Sequence, residues 1–98
     1  MIAHILRIWL DDLNLSITEF SELSGYDRKI VYRWIKGLSL PNLRSCRNII
    51  DTIAHYAHWS AIKREKAYIE LLNLRDNEMD MRKRRQKAQK QLKGKSIL

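Results

Sequence analysis

Apolar and polar residues alternate at helical spacing along most of the chain. Ile5, Leu6, Trp9, Leu10 and Leu13 recur at i, i+3, i+4 and i+7, the period of one buried helical face, and Asn14 supplies a stop. Ser16 stands three residues before Glu19, the spacing at which each side chain satisfies a free backbone N–H at a helix start, so a second helix is expected from about 17 to 23. Gly25 follows Ser24 where a sharp reversal needs a positive φ. Asp27 is placed to cap a third helix running to Lys36, with Ile30, Val31 and Trp34 expected inward and Arg28, Lys29, Tyr32, Arg33 and Lys36 outward. Gly37 closes that helix, and Pro41 gives a rigid entry to a fourth, about 42 to 58. The apolar side of this fourth helix carries Leu43, Cys46, Ile49, Ile50, Ile53 and Tyr56 or Ala57.

Beyond Trp59, Ser60 is placed to cap a fifth helix bearing Ile62, Tyr68, Ile69, Leu71, Leu72 and Leu74. Two courses are open at Asp76-Asn77: the helix breaks there, or it continues through Met79 and Met81 into a tail of good helix formers. The tail has Leu92 as its one large apolar residue before the last two positions. It cannot bury itself and is expected to be mobile when unbound. The pattern predicts an all-α protein of four to five helices in three segments: 1–58, 59–81 and 82–98.

Charge sharpens this division. Residues 1–81 hold eleven Lys or Arg against eleven Asp or Glu, so the net +8 arises from Arg82, Lys83, Arg84, Arg85, Lys87, Lys90, Lys93 and Lys95. Within the neutral body, Arg28 to Ile50 carries six cations and no acid. Basic clusters of this kind suit a polyanion, most commonly nucleic acid. At 98 residues there is little room for an enclosed catalytic cleft.

The stretch SITEFSELSGYDRKIVYRWIKGLSLPNL, Ser16 to Leu43, resembles the phage-repressor or Cro-like helix-turn-helix family (the XRE family) without a gap. The matching places are Ser16, Phe20, Ser21, Gly25, Tyr26, Val31, Trp34, Gly37 and Pro41, and the likeness extends more loosely over Leu6 to Tyr56. It implies a lambda-repressor-like bundle, to which the charge pattern adds a basic C-terminal extension that the likeness does not cover, and a third helix that enters the major groove of double-stranded DNA. Arg28, Lys29 and Arg33 align with the family's base-reading positions; an Arg there bridges guanine O6 and N7. Tyr32 lies on the same side, either as a contact to phosphate or a thymine methyl or as a plain surface residue. Phosphate contacts are expected from Ser16, Ile17, Lys36, Ser39, Asn42 and Arg44. Ile17 departs from the polar glutamine frequent in the family, and Tyr26 from a smaller aliphatic.

From these residues we expect a phage-like transcriptional regulator, a repressor that binds its operator as a homodimer. Trp59, Ile62, Tyr68, Ile69 and Leu72 are the expected dimer surface. For the tail, contacts from Arg82, Lys83, Arg84, Arg85, Lys87 and Lys90 to DNA backbone stand beside two alternatives, an acidic protein partner and a solubilising role. An antitoxin-like or adaptor protein, binding a partner through its C-terminal helix and tail, shares the same motif. So does an accessory DNA-binding protein in phage replication or recombination.

The remaining chemistry is sparse. Trp9 and Trp34 are expected in the core, and Cys46, the lone cysteine, as a small buried apolar residue in a reducing, cytoplasmic setting. His55 and His58 lack partners for a metal site. No catalytic constellation, phosphate loop, signal peptide or membrane span is recognisable. We therefore expect no enzyme activity, no cofactor and no membrane association.

Overall fold

A computed structural model describes the backbone of residues 1–97 and the side chains of residues 1–86. The chain is all-helical: α1 (Ile2–Asp12), α2 (Ile17–Ser24), α3 (Arg28–Ile35), α4 (Leu43–Ala57) and α5 (Ala61–Ile97).

Local signals set the helix ends. α1 buries Ile2, Leu6 and Leu10 and stops where Asn14 takes φ +54°, a left-handed conformation that Asn tolerates better than most side chains. Ser16 and Glu19 complete the reciprocal capping box at the start of α2. Gly25 ends it at φ +79° and donates its N–H to the Ser21 carbonyl. Asp27 Oδ1 accepts from the Lys29 N–H at 2.8 Å and opens α3. Asn42 caps α4 through the Ser45 N–H, and Ser60 caps α5 through the Lys63 N–H.

The core draws on α1, α3, α4 and the first half of α5, with Phe20 of α2 buried among them. Cys46, Ile49, Ile50 and Ile53 are fully enclosed, and Leu71 of α5 seals them from the far side. Trp34 is buried; Trp9 is half-buried and meets Trp59 edge-on with ring centroids 5.8 Å apart.

Two inward assignments are corrected. Ile30 is 43% exposed, because the buried stripe of α3 is Val31, Trp34 and Ile35, and Ile30 falls at its edge. Leu43 is exposed at the first turn of α4, whereas Pro41, two residues earlier, is fully buried. Of the alternatives Tyr56 and Ala57, the structure takes Ala57, which is half-buried, while Tyr56 is exposed.

Of the two courses open at Asp76-Asn77, the helix continues. α5 has 37 residues, about 55 Å at ~1.5 Å per residue, close to the 59 Å long axis of the molecule. Among the described residues no helix is long and apolar enough to cross a membrane.

Candidate nucleic-acid interface

The third helix stands in front of the bundle because the elements behind it are tied down over short distances. Ser21, small where α2 meets the incoming chain, donates its hydroxyl to the Tyr26 carbonyl. Tyr26 packs edge-on against Trp34 with centroids 5.0 Å apart, and its hydroxyl accepts from Asn48 Nδ2 at 2.8 Å. The larger residue at this place thus links the turn to α4 as well as to α3. At the other end of α3, Gly37 takes φ +73° and the Leu38 N–H returns to the Arg33 carbonyl at 2.9 Å.

This frame leaves Arg28, Lys29, Tyr32, Arg33 and Lys36 exposed. Among the described residues, the ion pairs involve Arg47, Arg64 and Arg75, and none involves a cation of α3. The helix therefore presents an unneutralised cationic face. Tyr32 lies within that face, with Lys36 Nζ 5.6 Å from its ring centroid.

The expected phosphate contacts divide into two groups. Ile17 is brought beside the front of α3, where Ile17, Thr18, Arg28, Lys29 and Tyr32 surround one hollow of about 330 Å³. Ser16 adjoins it, but its N–H and Oγ are engaged with Glu19, leaving the hydroxyl proton to donate. At the opposite end, Lys36 is exposed, Ser39 is half-buried, and Asn42 uses its Oδ1 as a cap while its side-chain N–H groups have no partner among the described residues. Arg44 is exposed nearby on α4.

Arg47 belongs to the acid-free stretch only in sequence. In space its guanidinium meets Glu65 at 3.0 Å and Asp51 at 3.5 Å and lies 4.9 Å from the Tyr68 ring centroid. The hydrogen bond to Glu65 holds its pKa above the ordinary value. Acids from α4 and α5 thus remove this cation from the basic face.

α5 supplies contacts that no local pattern announces. Arg75 Nε donates to the Pro41 carbonyl at 2.8 Å, buried Glu78 accepts from the Ile2 N–H at 2.7 Å, and Arg82 Nη2 donates to the Gly37 carbonyl at 3.1 Å. These three residues, at i, i+3 and i+7, fasten α5 across the start of α1 and the loop after α3. The polar residues following Ala67 and Leu71 on one helical stripe were the available signal. Arg82 and Arg85 consequently line a depression with Gly37 and Leu38, at the C-terminal end of α3, while Lys83 and Arg84 are exposed. The side chains of Lys87 and Lys90 lie outside the described residues.

Of the expected dimer surface, Trp59, Tyr68 and Leu72 pack against the chain's own core, whereas Ile62 and Ile69 are 70% and 56% exposed. Among the described residues no group of His, Cys, Asp and Glu could hold a metal ion.

No family model matches the chain, and neither a curated protein nor a solved structure is found to be similar to it.

Proposed function

We propose that the chain is a sequence-specific double-stranded DNA-binding regulator of the phage-repressor, lambda-repressor-like type, reading the major groove with α3. The observation that carries this reading is the cationic face Arg28, Lys29, Arg33 and Lys36, exposed and without acid partners among the described residues, on a helix whose other side is locked into the core. A solvated helix face ordinarily mixes its charges. One that keeps only donors is suited to the acceptor-rich edge of guanine and to phosphate.

A single helix reads few base pairs, so the regulator acts as a homodimer on a pseudo-palindromic operator, with the two α3 helices about 34 Å apart on successive major grooves. Exposed Ile62 and Ile69, one face apart by i and i+7 on α5, are the residues through which two copies meet. Occupying promoter DNA makes the protein a repressor. The basic extension, held at the C-terminal end of α3 by Arg82, adds backbone contacts beside the groove.

The test is selection of bound sequences from random duplex DNA, repeated with Arg28→Ala and Arg33→Ala. Each variant is expected to lose preference at discrete positions, by about 1–3 kcal/mol at a guanine. A uniform loss across all sequences would reassign both residues to the DNA backbone.

A further inference from the structure

The hollow between α2 and α3 is unlike the rest of the cationic face. Ile17 and Thr18 from the first turn of α2, with Arg28, Lys29 and Tyr32 from the front of α3, line about 330 Å³ almost wholly with carbon. Ile17 is half-buried and packs against the core, so its side chain is fixed; Tyr32 stands across from it, 45% exposed. An aliphatic at this place has no hydrogen bond to give a phosphate. What it offers is a dry wall beside donors that read base edges.

We propose that this hollow is a subsite for the C5-methyl group of a thymine in the major groove, with Ile17 and Tyr32 as its specificity-determining walls. The proposal rests on the base-reading role of α3. Thymine presents its methyl and its O4 acceptor side by side on the major-groove edge. Methyl and acceptor match the two chemistries that meet here, because Arg28 and Lys29 carry only donors and the space between them is apolar. Cytosine fails on both counts, offering an N4 donor and no methyl. A 5-methylcytosine restores the methyl but turns an N–H donor toward two cations. The hollow therefore selects thymine over either cytosine, and Ile17 reads a base where its place in the chain suggests a phosphate contact.

The experiment takes a duplex selected by the native chain and replaces its thymines one at a time by uracil, which removes only the methyl. At one thymine per half-site, affinity is expected to fall about fourfold, the equivalent of exposing one buried carbon group. Replacing the same base pair by 5-methylcytosine·guanine is expected to cost about tenfold or more. In Tyr32→Ala, an exposed position whose change leaves the core intact, and in Ile17→Ala, with folding checked by its thermal melt, the thymine-to-uracil ratio is expected to fall to one. Specific binding with no uracil-sensitive thymine, or a ratio that persists in both variants, would overturn the subsite and leave base reading by the arginines standing. Equal binding of thymine and 5-methylcytosine would overturn the selection of thymine. Binding without preference at any position would overturn the subsite and the DNA-reading role together.

Discussion

Cys46 shows how little of a residue's chemistry follows from its type. A thiol is a nucleophile and metal ligand in open surroundings, yet here burial penalises the thiolate and pushes the pKa from 9.0 up to about 11. Below pH 9 both native and unfolded chains hold the proton, and Cys46 adds no pH dependence. Between about 9 and 11 the unfolded chain releases it while the native chain retains it, so stability falls as pH rises through this window and the effect levels off above it. The urea midpoint of the native chain is expected to drop more steeply from pH 9 to pH 11 than that of Cys46→Ala; parallel slopes would contradict the assignment. Arg47 makes the same point in charge. It sits in a run free of acids along the chain, but Glu65 of α5 meets it in space, beside Asp51 one turn on along α4.

At the scale of elements, the turn between α2 and α3 is specified almost entirely by neighbours in sequence. Gly25 at φ +79° has open space around its missing side chain, so the cost of Gly25→Ala is that of the backbone alone. A loss of about 1–2 kcal/mol is expected by urea unfolding, with Gly25→Asn milder because Asn tolerates this conformation. The seat of α5 is decided differently. Glu78 provides a buried acceptor to the first N–H of α1, and a carboxylate there also suits the positive end of the α1 dipole. Glu78→Ala leaves that N–H without its partner and is expected to cost about 1–3 kcal/mol. Glu78→Gln, which keeps an acceptor oxygen, is expected to recover part of it. Faster amide exchange at Ile2 in the alanine variant would locate the loss at the start of α1.

At the scale of the molecule, a neutral bundle carries a cationic helix that extends its long axis to 59 Å. Arg82 is part of the clasp on Gly37, so the boundary between body and extension falls after it. A chain ending at Arg82 is therefore expected to melt at the temperature of the full chain while its affinity for DNA depends less steeply on salt, by roughly 0.9 in log–log slope for each phosphate that the extension would otherwise neutralise. An unchanged slope would remove the extension from the DNA interface. Self-association belongs to the same scale. Ile62→Asp with Ile69→Asp is expected to leave the fold intact, since both side chains are exposed, and to shift sedimentation from dimer to monomer. A native chain that sediments as a monomer at DNA-binding concentrations would exclude the homodimer.

The capping box at Ser16 and Glu19, the Asp27 cap, the left-handed Gly25 and the outward cations of α3 are all legible in the amino-acid sequence. Each depends on partners within a few residues or on one helical period, so spacing alone determines it. The inward places expected of Ile30 and Leu43 fail because an apolar residue at a stripe's edge or a helix's first turn is buried only if a neighbouring element reaches it, and none does. Three features needed the tertiary structure: the hollow between Ile17 and Tyr32, the withdrawal of Arg47 from the basic face, and the clasp of Arg75, Glu78 and Arg82. The side chains of each meet across turns or from remote elements, 76 positions apart for Glu78 and Ile2. Such contacts leave no period in the sequence, because their partners are chosen by packing of the bundle and not by chain distance.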